Sequence, residues 1–182
     1  NDLADHLPEP KIKDGHLRAY VQVQNGCDHR CTFCIIPFGR GPSKSQTIND
    51  VILQTRSLIN DGAEEIVLTG VDITSWKGTN EDSSLGNLVS ELLFSVPSLK
   101  RLRLTSLDVS EIDDVLLELI ISNEKLLPHI HLSLQSGDNL ILKRMKRRHS
   151  REDAEDFIKY VQLARPEVSF GADLITGFPT ET

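Results

Sequence analysis

The sequence predicts an α/β protein in which a mostly parallel sheet forms a partial (β/α) barrel, with about five β/α units present. Strand-like and helix-like segments alternate along the 182 residues, which is typical of a parallel sheet with helical crossovers. Several strands carry polar residues on one face, whereas both faces of a central strand in an open doubly wound sheet are apolar. This alternation favours a barrel with a polar interior. A complete barrel takes about 250 residues, so an incomplete one is expected.

The five predicted strands are residues 18–24, 65–69, 101–106, 129–136 and 168–176. Most of them alternate apolar and polar side chains, and 65–69 has the continuous apolar run of a buried strand. The polar face would carry Gln22, Gln24, Arg103, Thr105, His131, Ser133, Gln135 and Asp173. The alternative is that these strands are amphipathic because they border solvent.

Helical spacing of apolar residues follows each of the first four strands. The predicted helices are residues 47–61, 85–96, a segment that begins after residue 110, and 138–163, and residues 77–84 form a polar loop. Ser110 and Asp113 have the spacing of a capping box for the third helix. The fourth helical region is expected to break near His149, with Ser150 and Asp153 capping its second part.

The chain is acidic, with a net charge of −7 and a pI near 5.3, which argues against a dedicated nucleic-acid-binding domain but not against a local basic site. It has no secretory signal and no apolar run of the roughly 20 residues that span a bilayer. These features predict a cytoplasmic protein with reduced cysteines and no membrane contact. Residues 1–16 are interpreted as a linker from a missing domain, and residues 17–182 as a core truncated before its last strand.

The most informative motif contains the only three cysteines of the chain, Cys27, Cys31 and Cys34. Three thiolates bind a metal centre but leave one coordination position open for a substrate or cofactor. The spacing suits a 4Fe-4S cluster whose fourth iron chelates S-adenosylmethionine (SAM), and an electron from such a cluster can break the sulfonium carbon–sulfur bond. Two alternatives are a zinc site with His29 as an extra ligand, although no second ligand couple exists, and unliganded buried thiols.

The cysteine motif belongs to a longer series of characteristic segments. Residues 18–27 are RAYVQVQNGC and residues 31–41 are CTFCIIPFGRG; later segments are EIVLTG at 65–70, PHIHLSLQSG at 128–137 and GFPTE at 177–181. Together with RLTS at 103–106 and LKRMKRR at 142–148, they resemble the radical SAM domain of the methylthiotransferase family. Residues 70–73 and 147–150 favour the bacterial subgroup that acts on threonylcarbamoyladenosine beside the anticodon of tRNA.

The resemblance implies a barrel of the radical SAM type and insertion of a methylthio group at carbon 2 of the adenine. It implies a 4Fe-4S cluster and SAM in this core, a second 4Fe-4S cluster in an N-terminal domain, and a C-terminal RNA-binding domain. The implied partners are tRNA and an electron donor such as a flavodoxin or a ferredoxin. Because the carbon 2 hydrogen is not acidic, a radical is the expected route, and no catalytic residue beyond the cluster ligands is expected.

Other functions remain as alternatives at this stage. Related methylthiotransferases modify isopentenyladenosine in tRNA or an aspartate of a ribosomal protein. A non-catalytic metal-binding module is the alternative of another class.

The resemblance also implies residues that contact SAM. Phe33 would pack against the adenine, with core packing as the alternative. Thr69, Gly70 and Asp72 would hold the amino and carboxylate groups, although Gly70 also suits a simple turn. The remaining candidates are Ser106 and Gln135 for the ribose or methionyl part, and Asp173, Ile175 and Gly177 for the adenine.

Residues 143–151 contain six Lys or Arg residues and no acid. One interpretation is a solvated helix face. The alternative is that Arg144 and Arg148 contact the SAM carboxylate or tRNA phosphates, for which the forked guanidinium is suited. Arg40 and Lys44, beside the cysteine loop, are further candidates.

Overall fold

The computed structural model describes residues 17–78 and 83–181, so the predicted linker 1–16 and part of the predicted polar loop lie outside the described residues. The strands in this part of the chain are β1 (Arg18–Gln22), β2 (Gln24–Asn25), β3 (Lys44–Ser45), β4 (Glu65–Thr69), β5 (Arg101–Leu104), β6 (His129–Gln135) and β7 (Ser169–Leu174). The helices are α1 (Ile36–Gly39), α2 (Ile48–Asn60), α3 (Leu85–Ser95), α4 (Asp114–Ser122), α5 (Asn139–Arg144) and α6 (Arg151–Ala164). None of these helices is long and apolar enough to cross a membrane.

The parallel strands follow one another in chain order. β1, β4 and β5 form one parallel sheet, and β6 pairs with β7 in a second parallel ladder. The ladders meet just beyond β5, where Leu107 and Leu132 form a parallel bridge and the Leu107 N–H donates to the His131 carbonyl over 2.8 Å. Among the described strands, β1 and β7 each have one parallel neighbour, so the barrel is open at these edges. The predicted partial (β/α) barrel is confirmed.

The outer face of the sheet is apolar and packs against the helices. Val21, Leu68 and Leu102 are fully buried there, together with Leu88 and Leu92 of α3. Full burial of such side chains is worth about 1.5–3 kcal/mol each. The alternate residues of β1, β5 and β6 are exposed or partly buried, which leaves their polar side chains on the inner face.

The first predicted strand is interrupted at Val23, which belongs to neither β1 nor β2. The Val23 N–H donates to the Thr69 carbonyl of β4 (2.9 Å), and its carbonyl accepts from the Gln46 N–H (2.8 Å). The chain therefore passes at Val23 from the parallel sheet into the antiparallel β2–β3 pair. That pair encloses the cysteine loop, residues 26–43.

The predicted capping box of the third helix is wrong. Ser110 lies in a short 3₁₀ turn, where its N–H and hydroxyl donate to Asp108 Oδ1 over 3.1 and 2.8 Å. The helix begins later, and Asp113 caps it by accepting from the Leu116 N–H over 2.9 Å. Asp113 also accepts from the Gly86 N–H of α3 over 3.0 Å, so one carboxylate joins the starts of two helices.

The predicted break in the last helical region is confirmed. α5 ends at Arg144 and α6 begins at Arg151. Ser150 Oγ accepts from the Asp153 N–H (3.1 Å), and Asp153 Oδ2 accepts from the Ser150 N–H (2.7 Å), which is the predicted capping box. Residues 145–150 therefore belong to neither helix.

Asp113→Ala should lower the free energy of unfolding by about 2 kcal/mol, because it removes the cap of α4 and the acceptor for Gly86. Ser110→Ala should cost about 0.5–1 kcal/mol, since Ser110 lies outside that helix. Urea unfolding followed by circular dichroism measures both values. A larger loss for Ser110→Ala than for Asp113→Ala would contradict this assignment of the cap.

Candidate metal and cofactor site

The cysteine loop is closed at its base by backbone contacts. The Cys27 N–H donates to the Gly41 carbonyl over 3.1 Å. Gly26 has a φ of 73°, and a Cβ atom there would overlap the Pro42 carbonyl oxygen. Glycine is therefore required where the loop leaves β2.

The fully buried side chain of Gln24 ties this loop to the turn that follows β4. Its Nε2 donates to the Gly26 carbonyl (2.8 Å) and to Ser43 Oγ (2.9 Å), which are the two ends of the loop. Its Oε1 accepts from the N–H groups of Val71 (3.0 Å) and Asp72 (2.9 Å). One amide thus places Asp72 next to the cysteines.

Thr69 and Gly70, two of the predicted SAM contacts, lie at this junction. Thr69 ends β4 opposite Gln22 of β1. A Cβ atom on Gly70 would lie 2.9 Å from Gln24 Oε1 and 2.7 Å from Ile73 Cγ2, so the backbone of the turn approaches Gln24 closely. This packing explains the glycine, and its contact with SAM stays a prediction.

A cavity of about 210 Å³ lies at the C-terminal edge of the sheet, and we call it the cysteine cavity. It is lined by all three cysteines and by three of the predicted cofactor contacts, Phe33, Asp72 and Gln135. His29, Asp108, Ser133 and Arg147 complete its polar wall. Gln135 has a φ of 68° at the end of β6.

The three thiols are free and partly buried. The His29 N–H donates to Cys27 Sγ over 3.4 Å, and Arg147 Nη1 donates to Cys31 Sγ over 3.7 Å. Burial, with a smaller contribution from the carboxylate of Asp72, raises the pKa of the Cys27 thiol to about 11. N–H donors around clustered sulfur atoms fit a thiolate-bound iron–sulfur cluster.

An acidic group lies beside Cys27. Asp72 Oδ2 is 3.6 Å from Cys27 Sγ and 2.9 Å from His29 Nε2, and Glu111 Oε1 is 3.4 Å from the same histidine nitrogen. Burial, followed by the charge of Glu111, raises the pKa of Asp72 above its ordinary value. One ligand atom each from Cys27, His29 and Asp72 lies within 4.8 Å of the other two. His29 is also the extra ligand of the zinc alternative.

Asp108 is a buried carboxylate that contacts three consecutive residues of the basic segment 143–151. Its Oδ2 accepts from Arg147 Nη2 (2.8 Å) and Arg148 Nη2 (3.2 Å), and its Oδ1 lies 3.5 Å from His149 Nδ1. Burial alone would raise the pKa of Asp108, but His149, Arg147 and Ser110 hold it well below its ordinary value. Arg147 consequently spans Asp108 and Cys31.

The other basic candidates have protein partners. Arg148 Nη1 donates to Glu111 over 2.9 Å, which raises the Arg148 pKa further. Arg144 Nη1 donates to the Thr180 carbonyl over 3.0 Å. Arg40 Nη1 donates to Asn25 Oδ1 over 3.2 Å, and Lys44 lies in β3. Contacts of these residues with SAM or tRNA stay predictions.

The remaining candidates lie outside the cysteine cavity. Ser106 and Asp173 line a second cavity of about 520 Å³ on the inner face. The Ile175 N–H donates to the Gln135 carbonyl over 2.9 Å, next to the cysteine cavity. Gly177 has a φ of 74° and no atom within 4 Å of where a Cβ would be.

Three residues of the site escaped sequence reasoning as site residues: Gln24, Asp108 and Arg147. Asp108 could have been found by analogy with Asp72, since both are acids that closely follow a predicted parallel strand. Arg147 lies in the basic segment, but its spacing does not distinguish it from Arg148. The sequence predicts Gln24 on the polar face of its strand but does not indicate that its amide joins the cysteine loop to the turn after β4.

The fold and the site together define a class of protein: a partial (β/α) barrel with three clustered thiols at the C-terminal edge of its sheet. The model of the Radical SAM superfamily matches residues 21–182. The chain belongs to this family.

Two relatives show where in the family the chain falls. A protein named threonylcarbamoyladenosine tRNA methylthiotransferase from Rickettsia prowazekii is 52% identical over 170 residues, which are 93% of this chain and 40% of that protein. A protein named tRNA-2-methylthio-N(6)-dimethylallyladenosine synthase from Staphylococcus epidermidis is 37% identical over 183 residues, covering 100% of this chain and 35% of that protein. The chain therefore spans about two fifths or less of the length of these relatives.

Solved structures share the fold at low sequence identity. The radical SAM methyltransferase TsrM from Kitasatospora setae has a TM-score of 0.73 and 18% identity, over 91% of this chain and 31% of that one. SuiB from Streptococcus suis has a TM-score of 0.62 and 16% identity, over 88% of this chain and 34% of that one.

Gln24→Ala should destabilise the fold by about 2 kcal/mol and reduce the iron retained after anaerobic reconstitution. The physical reason is that the N–H groups of Val71 and Asp72 lose their buried acceptor. Gln22→Ala is the matched control, because within residues 17–78 and 83–181 the Gln22 amide makes one long bond of 3.4 Å. Urea unfolding measures the stability and iron analysis the retained metal. Equal stability and equal iron content in Gln24→Ala and Gln22→Ala would contradict the proposed role of Gln24 in joining the loop to the turn.

The raised pKa of Cys27 predicts slow alkylation of the metal-free protein. In a Cys31→Ser, Cys34→Ser variant at pH 8.5, iodoacetamide should modify folded Cys27 roughly 100-fold more slowly than Cys27 in urea, where the thiol pKa is near 8.5. Mass spectrometry over time gives both rates. Similar rates in the two conditions would show that the thiol is not perturbed in the fold.

Proposed function

We propose that this chain is the radical SAM core of a tRNA methylthiotransferase that adds a methylthio group to carbon 2 of threonylcarbamoyladenosine beside the anticodon. The observation that carries the proposal is the cysteine cavity, where the three thiols share one space with Asp72, Gln135 and Arg147. The name of the R. prowazekii relative, at 52% identity, supports the substrate.

Cys27, Cys31 and Cys34 are the residues that would hold a 4Fe-4S cluster. Besides the N–H donors to sulfur, Arg147, which lines the cavity, has a buried Nε without a partner among the described residues. Buried polar groups are normally bonded, so a ligand acceptor fits there. When bound, the cluster and SAM supply a carbon radical that can take a hydrogen atom from an unactivated carbon.

The surrounding side chains bind and orient the cofactor. Asp72 would offer a carboxylate to the SAM amino group, and Arg147 would offer the positive charge of its guanidinium to an anionic group. Phe33, which is 40% exposed, offers an apolar ring to an adenine. Gln135 contributes an amide from the opposite strand, β6.

The whole protein would have more parts than this core. Residues 17–182 would be the radical SAM core and residues 1–16 the linker before it. The R. prowazekii relative is much longer than this chain, which leaves room for a domain with a second 4Fe-4S cluster and for an RNA-binding domain. The partners would be tRNA and an electron donor such as a flavodoxin or a ferredoxin, in the cytoplasm.

A second candidate substrate is dimethylallyladenosine in tRNA. The S. epidermidis relative of that name aligns over 183 residues at 37% identity. Both substrates need the same chemistry at carbon 2, so the cysteine cavity does not separate them.

Anaerobic reconstitution tests the core chemistry. The chain supplied with iron, sulfide, SAM and a strong reductant should form 5'-deoxyadenosine, and Cys31→Ala should lose both the cluster absorbance and this product. Ser57→Ala, on the exposed surface of α2, is the control. Continued formation of 5'-deoxyadenosine by Cys31→Ala would contradict the assignment of Cys31 as a cluster ligand. Zinc bound in place of the cluster, and released by His29→Ala, would favour the metal-module alternative instead.

The substrate is tested with anticodon stem-loop RNA that carries deuterium at carbon 2 of the modified adenosine. With the threonylcarbamoyl form, the reconstituted chain should transfer deuterium to 5'-deoxyadenosine. The dimethylallyl form is the comparison. Faster deuterium transfer from the dimethylallyl RNA would overturn the proposed substrate and leave the radical SAM chemistry intact.

A further inference from the structure

The second cavity, of about 520 Å³, lies on the inner face of the sheet, away from the thiols. Arg18, Arg103, His131 and Asp173 line it. It adjoins the cysteine cavity along β6, because His131 lines the former and Ser133 the latter. Alternate residues of a strand are about 7 Å apart, so one ligand of nucleoside size can extend from one cavity into the other.

A buried carboxylate organises the arginines of this cavity. Glu65 Oε1 accepts from Arg18 Nε over 2.8 Å and from Arg103 Nε over 2.9 Å, and its Oε2 lies 3.7 Å from Arg101 Nε. The Glu65 side chain is 8% exposed, whereas those of Arg18 and Arg103 are 48% and 27% exposed. Burial alone would raise the pKa of Glu65, but the bonds from Arg103 and Arg18 outweigh it and keep the pKa below its ordinary value.

The cluster has an excess of positive charge and unused donors. Three guanidinium groups surround one carboxylate, although Arg101 is shared with Glu64 (3.4 Å). Arg103 uses its Nε for Glu65, and within residues 17–78 and 83–181 its two Nη atoms have no acceptor. A guanidinium held in place with its fork unused is suited to a carboxylate or a phosphate.

The acid on the opposite wall, Asp173, forms no ion pair within 4 Å with an arginine of the described residues. Asp173 is 88% exposed, and its carboxylate lies 3.7 Å from His131 Nε2. The other nitrogen of His131 is 2.9 Å from Ser106 Oγ. The cavity thus has an arginine wall on β1 and β5 and a wall with His129, His131 and Asp173 on β6 and β7.

We propose that Arg18 and Arg103, positioned by Glu65, bind the carboxylate of the threonylcarbamoyl group while carbon 2 of the adenine lies at the cysteine cavity. The threonine part of this group ends in a carboxylate, whereas a dimethylallyl group is uncharged and apolar. The inference rests on the proposed function and adds residues that select the substrate. Tyr20, which is 57% exposed in the same cavity, offers a ring face to the base.

Nucleoside binding to the chain reconstituted with its cluster, with S-adenosylhomocysteine in place of SAM, tests the proposal by calorimetry. N6-threonylcarbamoyladenosine should bind at least about tenfold more tightly than its carboxamide analogue, since a charge-assisted bond is worth about 1.5–3 kcal/mol. Arg18→Gln and Arg103→Gln should each reduce this preference, and the double variant should abolish it. Arg56→Gln, on the outer surface, should leave it unchanged.

Two further arms separate the explanations. Arg103→Lys keeps the charge but loses the two Nη atoms that have no acceptor among the described residues, and should retain only part of the preference. Adenosine 3',5'-bisphosphate carries phosphates without the carboxylate; if it competes as well as the threonylcarbamoyl nucleoside, the site reads RNA backbone and the proposal fails. Equal binding of nucleoside and carboxamide, or no binding of either, also overturns it.

SAM cleavage without RNA distinguishes a failure of this proposal from a failure of the proposed function. Formation of 5'-deoxyadenosine without RNA, measured in the unchanged chain and in Arg56→Gln, reports on the radical SAM core independently of the carboxylate site, because Arg56 lines neither cavity. Normal cleavage without carboxylate preference would reject the carboxylate site and keep the radical SAM core. Urea unfolding of each variant confirms that a lost preference is not a lost fold.

Discussion

The amide of Gln24 is the interaction on which the geometry of the site depends. A buried amide costs about 1–3 kcal/mol if its groups are unbonded. Here the nitrogen is bonded to both ends of the cysteine loop, and the oxygen to two N–H groups of the turn that carries Asp72. A shift of either segment would break bonds to the other. The loop and the turn are therefore joined to each other by the protein's own hydrogen bonds.

Asp108 provides the corresponding constraint on the other side of the cavity. It is 3% exposed and would be costly to bury as an anion without the cations that approach it. Those cations come from the segment between α5 and α6. Within the basic run, Arg147 and Arg148 pair with Asp108 and Glu111. Arg144 and Arg151 have other partners, whereas Lys143 and Lys146 are exposed.

Much of the fold was predictable because its signals are local. Apolar spacing placed α2 and α3, and the Ser150–Asp153 spacing placed the start of α6. The capping error arose because Ser110 bonds to Asp108, two residues earlier, and does not cap α4. Asp113 caps that helix and also accepts from the Gly86 N–H of α3. Within the site, the cysteines and Asp72 were predictable from motifs, but Arg147 was not, because its contact with Cys31 joins residues 116 positions apart.

The polar inner face that predicted the barrel divides into two chemically different regions. Near the C-terminal edge, thiols and acids lie together, which suits a metal and a cofactor common to many relatives. Deeper along the strands, arginines lie around Glu65, and no thiol lines that cavity. Radical chemistry needs only that the reacting carbon reach the first region. Under the proposed function, selection between a charged and an apolar substituent would occur where the substituent ends, and in the second cavity Glu65 holds the guanidinium groups of Arg18 and Arg103 in place.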